Sequence, residues 1–133
     1  MSTRISKTAA GPAAAAPPSS PLPIAETLFT GDPWPLSYQT FNGGTASPGH
    51  ARITLNKLCN SFNRGLCLEY TRGASISWFN ISNGRAGHTT VADGAAPGTT
   101  AVLATGPGAI AVTITSPGPA NTLIPAFGVV TVR

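Results

Sequence analysis

Charged side chains are scarce in this sequence. Asp, Glu, Lys and Arg make up 9% of its 133 residues, against about 25% in typical soluble globular proteins. A surface built mainly from Thr, Ser, Asn, Gly and Ala has little of the charge that keeps monomeric proteins apart. The low charge therefore predicts a protein that associates, either with copies of itself or with another protein surface.

The basic residues that are present form no cluster. The chain has 8 Lys and Arg against 4 Asp and Glu, a formal net charge of +4, and only Arg4 and Lys7 lie near its start. An arm that packages nucleic acid neutralises many phosphates and needs clustered basic residues. Nucleic acid is therefore not expected as a partner, and the positive balance favours a weakly acidic protein surface.

Long apolar runs are missing as well. None approaches the roughly 18 residues that a membrane-spanning helix needs. Between Lys7 and Pro17 the residues are Ala, Gly, Thr and Pro, without the large apolar side chains of a secretory signal. The sequence predicts a protein without a membrane partner, made in the cytoplasm of its host.

Groups that could perform chemistry are few. The chain has two His and four acids, no GxSxG motif, and no pair of acids spaced for a glycosidase. A triad of a serine with His88 and Asp93 can be written, but turn positions explain both residues more simply. Cys59 and Cys67 could close a small loop, yet without an export signal we interpret them as reduced, buried thiols. We predict no catalytic residue, no metal site and no cofactor.

Proline and alanine dominate residues 1–21, MSTRISKTAAGPAAAAPPSSP. Prolines at this spacing prevent continuous helical turns, and the composition is typical of an extended or flexible arm. Residues 22–50 keep the Pro and Gly but add large apolar side chains, among them Leu28, Phe29, Trp34, Tyr38 and Phe41. We predict an irregular connector whose aromatic residues either cover an edge of their own domain or contact a neighbouring subunit.

Short apolar runs alternate with turn-forming clusters in residues 51–133. SISWFNIS, AIAVTIT and FGVVTVR are rich in Val, Ile, Thr and aromatic residues, which favour strands. NGRAG, DGAAPG and SPGPAN between such runs favour turns. About seven short strands without a βαβ pattern predict an all-β antiparallel sandwich. A jelly roll is the favoured topology, and other Greek-key sandwiches stay open.

One segment, TLNKLCNSFNRG, departs from the strand pattern. Its apolar residues recur at helical spacing: Leu55, Leu58, Cys59 and Phe62. With Thr54 available as an N-cap, this spacing predicts a short helix over residues 54–64. The alternative is a hairpin whose loop is formed by residues 60–65.

Trp78 and Phe79 are adjacent and must point to opposite faces of a strand. One is expected in the core, and the other under the arm or at a contact surface. A carbohydrate-binding or adhesin-like module, with Trp78 contacting the glycan, is the alternative function that this pair suggests.

In its layout of an Ala/Pro arm, an aromatic connector and a charge-poor β domain, the chain resembles the small capsid decoration, or cement, proteins of tailed bacteriophages. The resemblance implies a non-enzymatic virion protein that lies on the capsid surface and joins neighbouring major capsid subunits. Its partners would be the major capsid protein and itself, as a dimer or trimer. The interface would comprise Arg4, Lys7, Leu28, Phe29, Trp34, Tyr38 and Phe41. A small jelly-roll coat protein is a further alternative.

Overall fold

The computed structural model describes residues 19–31, 34–118 and 121–133. In these ranges the chain forms strands and turns and no helix, so it contains no helix that could cross a membrane. The strands are β1 Ser19–Pro21, β2 Glu26–Phe29, β3 Leu36–Ser47, β4 His50–Asn60, β5 Ala74–Asn80, β6 Ala86–Val91, β7 Thr100–Leu103, β8 Gly108–Thr115, β9 Asn121–Ile124 and β10 Ala126–Val132.

The strands build two antiparallel sheets that pack on each other. The six-stranded sheet has the order β9-β2-β3-β4-β7, with β1 also paired to β3, and the four-stranded sheet has the order β10-β8-β5-β6. The predicted all-β sandwich is confirmed, while the jelly-roll topology stays a prediction.

Alternation along the strands creates the core between the sheets. In β8, Ile110, Val112 and Ile114 are buried, whereas Ala111 and Thr113 between them are partly exposed. Burying an Ile or Val side chain contributes about 1.5–3 kcal/mol relative to leaving it in water. The main cluster draws on both sheets, with Phe41, Ile53 and Leu55 from one and the β8 residues from the other.

Residues 22–50 contain regular strands, contrary to the predicted irregular connector. β3 is 12 residues long and pairs with β4 from Ser37 to Ser47. Its inward-facing positions include Ser37, Gln39, Gly43 and Thr45, so the usual apolar alternation is absent. Gly43 is required there, because a Cβ atom would lie 2.6 Å from Val130 Cγ2 of the opposite sheet.

Gln39 shows how a polar side chain is accommodated in this core. Its amide nitrogen donates to the Gly73 carbonyl at 3.0 Å, and its Oε1 accepts the Arg72 N–H at 2.7 Å. The side chain thus satisfies two backbone groups of the segment before β5, as a neighbouring strand would.

The helix predicted over residues 54–64 is wrong, because β4 continues to Asn60. Gln39 lies opposite Leu58 and Phe41 lies opposite Leu55, so β4 advances three residues while β3 advances two. This β-bulge turns both leucines inward although they are three positions apart. The bulge therefore explains why inward-facing residues of a strand show the three-residue spacing that is typical of a helix.

The predicted alternative, a hairpin loop after Asn60, matches the structure. Cys59 and Cys67 form an antiparallel bridge and a disulfide bond, which overturns the interpretation of these residues as reduced thiols. The bond closes the segment that we call the disulfide loop, residues 60–66.

A corner segment joins the two sheets. The Leu22 N–H donates to the Phe41 carbonyl at 2.8 Å, which extends the ladder between β1 and β3. Two residues later, Ile24 pairs with Phe127 of β10 through two backbone hydrogen bonds of 3.3 and 3.1 Å. Residues 22–24 are thus hydrogen-bonded to both sheets.

Candidate interaction surfaces

The predicted interface residues do not share one environment. Leu28 and Phe41 are buried in the sandwich, so neither side chain can reach a partner while the domain is folded. Phe29 is exposed, and Trp34 and Tyr38 are partly exposed. Arg4 and Lys7 lie outside the described residues, as does the rest of the segment 1–18.

One end of the six-stranded sheet brings the accessible predicted residues together. Phe29 pairs with Leu36, and Ser61, the second residue of the disulfide loop, donates its N–H to the Leu36 carbonyl at 3.2 Å. The guanidinium carbon of Arg64 lies 4.4 Å from the centre of the Tyr38 ring. We call the surface made by Phe29, Trp34, Leu36, Tyr38 and the disulfide loop the aromatic end.

The connection between β2 and β3 is also held by hydrogen bonds. The Thr30 hydroxyl donates to the Trp34 carbonyl and lies 3.0 Å from the Ser37 hydroxyl. The Thr30 N–H donates to the Pro35 carbonyl at 3.0 Å. Trp34 therefore sits on a constrained backbone beside Leu36.

The disulfide loop presents apolar side chains on an ordered backbone. Phe62 is 74% exposed, and Leu66 is also exposed. Asn60 Oδ1 accepts the N–H groups of Phe62 and Asn63 at 2.7 and 3.2 Å, and the Asn60 N–H donates to the Leu66 carbonyl at 2.8 Å. Phe62 thus projects into solvent from a backbone fixed on both sides by the disulfide and these bonds.

The outer face of the four-stranded sheet is a second accessible surface. It consists of alternate residues of each strand, beginning with Ser75 in β5, Ala86 in β6, Ala109 in β8 and Phe127 in β10. None of these described residues is Asp, Glu, Lys or Arg. We call this surface the uncharged face.

Large apolar side chains stand on the uncharged face. Phe79 is 46% exposed, Phe127 is 40% exposed and Val129 is 53% exposed. The sequence predicted that Trp78 and Phe79 point to opposite faces of a strand, and the structure places Phe79 on the outer face. The exposure of Phe127 and Val129 was not predicted. The sequence FGVVTVR does contain a sign of this exposure, because apolar residues occupy positions on both faces of the strand.

The outer face of the six-stranded sheet carries polar and charged side chains beside exposed apolar residues such as Val102. Asn56 Nδ2 donates to Thr40 Oγ1 at 3.0 Å and to Asn42 Oδ1 at 3.1 Å, and Arg52 points outward from β4. Nearby, Lys57 and Glu69 form an exposed ion pair at 2.7 Å. Ion pairs and amide ladders of this kind suit a solvated surface.

A cleft lies where the amino-terminal segment joins the domain. It has a volume of about 420 Å³ and is lined by β1, the middle of β3 and the end of β10, with Leu22 and Val130 on its apolar side and Arg133 at its rim. The segment 1–18 is attached at this cleft, because Ser19 begins β1.

Trp78 is partly buried and packs toward the interior of the sandwich. Its ring packs against the core and covers Gly87, where a Cβ atom would lie 2.7 Å from the indole Cε2 atom. Only a small residue fits at position 87. The structure thus partly buries the residue that the carbohydrate-binding alternative requires.

The residues with catalytic potential are dispersed. Ser75 Oγ lies 2.8 Å from His88 Nε2, but the Asp93 carboxylate pairs with the Arg72 guanidinium at 3.5 Å. Within the described ranges, no three His, Cys, Asp or Glu residues approach one another closely enough to hold a metal ion.

Among the acids in the described ranges, Glu26 is the one whose pKa is strongly shifted. Burial raises the pKa of its carboxyl group from 4.5 to about 7, although hydrogen bonds from Thr122 and Ser116 act in the opposite direction. Glu26 Oε2 accepts those hydroxyl groups at 2.7 and 3.0 Å. Since the side chain is fully buried, it has no access to a substrate.

A comparison of the chain with protein-family models, with curated proteins and with solved structures found no match, so its function has to be inferred from these surfaces.

Proposed function

We propose that the protein is a non-enzymatic virion component that binds the outside of a phage capsid and joins neighbouring major capsid subunits. The observation that carries the proposal is the aromatic end, where Phe29 and Phe62 are exposed and Trp34 is partly exposed, on a backbone held by hydrogen bonds and a disulfide. Exposed aromatic side chains on a constrained backbone are typical of the residues that dominate protein interfaces.

Rigidity is the property that makes this surface suitable for docking. A flexible loop loses conformational entropy when it binds, at about 1–2 kcal/mol for each backbone residue that becomes fixed. The disulfide and the Asn60 hydrogen bonds already restrict residues 60–66 before binding. More of the apolar burial around Phe62 is then available for affinity.

The charges near the aromatic end indicate the chemistry of the partner. Arg64 lies over Tyr38 within this surface, and the chain as a whole has a formal charge of +4. An apolar pocket with a carboxylate at its rim would complement Phe62 and Arg64 together. The proposed partner site on the major capsid protein has that composition.

The place where the segment 1–18 joins the domain supports a second contact. This segment contains Arg4 and Lys7 and enters the fold at the cleft beside β1, in the ladder with β3. With the segment 1–18 bound to one capsid subunit and the aromatic end bound to another, the two contacts together would increase the avidity of the protein for the capsid.

The test is binding to purified capsids that lack this protein, measured as copies per particle after sedimentation. Phe62→Ala is expected to lower the affinity at least about tenfold, since an interface anchor contributes about 2 kcal/mol or more. Ile81→Ala is the control, because Ile81 is also an exposed large apolar residue, 58% accessible, but follows β5 in the other sheet. Equal occupancy for the wild type and Phe62→Ala would contradict the proposal for this surface.

A further inference from the structure

We propose that two copies of this chain pack through their uncharged faces to form a two-fold symmetric dimer. The inference concerns the four-stranded sheet and needs no capsid, so it stands apart from the proposed function. It rests on the pattern of side-chain size on this face, on its lack of charge and on its area.

Large and small side chains alternate across the sheet in the row that contains Phe79. In one row of the backbone register, Ala86 lies opposite Phe79, Phe79 opposite Ala111, and Ala111 opposite Val129. The row therefore reads small, large, small, large across β6, β5, β8 and β10. Protein cores pack best when large residues of one layer meet small residues of the facing layer.

A two-fold axis parallel to the strands places the large residues of this row opposite the small residues of the same row in the second copy. The axis reverses the strand order of the second copy, so β10 of one copy lies over β6 of the other. Val129 then faces the partner's Ala86, and Phe79 faces the partner's Ala111. The same surface serves both copies, as an isologous contact requires, and the facing sheets form a layer like that of a β-sandwich.

The distribution of charge favours this face over others for self-association. Each copy has a net charge of +4, so two copies repel weakly, and taking charged side chains out of water at their contact would cost several kcal/mol. The uncharged face has no Lys or Arg to bury, whereas Arg52 and Lys57 lie on the six-stranded sheet. The dimer contact is thus possible only where the sheet offers neutral side chains.

The area is sufficient for a weak, specific dimer. Four strands spaced by about 4.8 Å and about seven residues of 3.3 Å each give a projected area of roughly 440 Å². Protruding side chains such as Phe79 raise the accessible area above this projection. The projection alone lies below the about 600 Å² per partner at the lower limit of standard interfaces, so the dimer is expected to be weak.

The experiment compares Val129→Glu with Val102→Glu in the full chain. Val129 is 53% exposed on the uncharged face, and Val102 is 57% exposed on β7 of the other sheet. Both variants lower the net charge by the same amount, so a change in long-range repulsion cannot separate them. Molecular mass is measured by sedimentation velocity across a concentration series, and circular dichroism checks the fold.

The wild type and Val102→Glu are expected to approach twice the chain mass as concentration rises. Val129→Glu is expected to weaken dimerisation more than about 100-fold, because each copy would bury a carboxylate against an apolar residue. Should Val129→Glu fail to fold, Thr113→Glu in the neighbouring row provides the same comparison.

Three results would overturn the proposal. They are a monomeric wild type at every concentration, a trimeric mass, or a Val129→Glu variant that dimerises as tightly as the wild type. Because capsids are not in the assay, a failure here leaves the capsid-binding proposal standing, and the reverse also holds.

Discussion

At the residue scale, Glu26 links stability to pH. Its carboxyl group is fully buried, and Oε1 has no hydrogen-bond partner among the described residues. The hydroxyl groups of Ser116 and Thr122 contact only Oε2. The ionised form is therefore poorly solvated, which explains why the folded protein favours the protonated carboxyl.

The sign of the effect follows from the raised pKa of Glu26. A pKa of about 7 in the folded state against 4.5 in the unfolded chain means that the folded protein holds its proton more tightly. The free energy of unfolding is thus highest below pH 4.5 for this group and falls as pH rises to about 7. The decrease is about 3 kcal/mol.

Glu26→Gln should remove this dependence, because the amide stays neutral. We expect the variant to lose most of the change between pH 5 and pH 8 and to exceed the wild type in stability at pH 8, measured by urea unfolding. Glu69→Gln is the control, since Glu69 is exposed and paired with Lys57. A wild type and Glu26→Gln variant with parallel pH profiles would show that Glu26 is not the responsible group.

At the scale of single elements, the disulfide loop tests how much one cross-link contributes. Cys59 and Cys67 enclose a short segment next to β4, and closing such a loop in the unfolded chain contributes about 2–3 kcal/mol. The double variant Cys59→Ala/Cys67→Ala should lose that amount in urea unfolding. It should keep its strand signal in circular dichroism, because β4 stays paired with β3 and β7.

Reduction of the wild type offers a second measurement of the same bond. A reductant should shift its urea midpoint toward that of the double variant and leave the double variant unchanged. If the reductant has no effect on the wild type and thiol titration finds two free cysteines before treatment, the bond does not form in the purified protein.

The elements also differ in how far the sequence could predict them. β8 and β10 were predictable because Ile110, Val112 and Ile114, and Val130 and Val132, alternate with exposed residues. β3 was not predictable, because polar Gln39 and small Gly43 occupy inward positions. Both residues fit there only because of partners distant in sequence. The bulge in β4 depends in the same way on its pairing with β3.

The candidate surfaces were predictable only in part. The aromatic residues of segment 22–50 predicted a contact surface; of these, Phe29 is exposed and Trp34 and Tyr38 are partly exposed, in or next to the paired strands β2 and β3. Nothing local distinguished them from Leu28 and Phe41, which the sheet register turns inward. The rows of the uncharged face could not be predicted from the sequence, because they depend on how four strands align with one another.

At the scale of the whole molecule, the described sandwich already includes residues from Ser19 onward. Residues 19–45 contain β1, β2 and most of β3, and they supply Leu22, Leu28 and Phe41 to the core. The domain expected to start at residue 51 therefore depends on strands from the preceding segment. Any truncation that aims to remove only the arm has to end before β1.

Two truncations should separate arm and domain. Deleting residues 1–18 is expected to leave the thermal midpoint within a few degrees of the full chain, because every described strand is retained. Deleting residues 1–45 is expected to abolish the cooperative transition, since it removes most of β3, the strand that pairs with β4, together with the core residues Leu22 and Phe41. A cooperative melt after the longer deletion would contradict this architecture.

The short β1 strand also has a mechanical consequence. Tension applied through residues 1–18 would enter the domain at Ser19 and load the three residue pairs that join β1 to β3. Beyond them the same tension would meet Leu22 and then the backbone pair between Ile24 and Phe127, which spans both sheets. An arm under load would detach β1 first, lengthening the tether while the sandwich behind the corner segment stays intact.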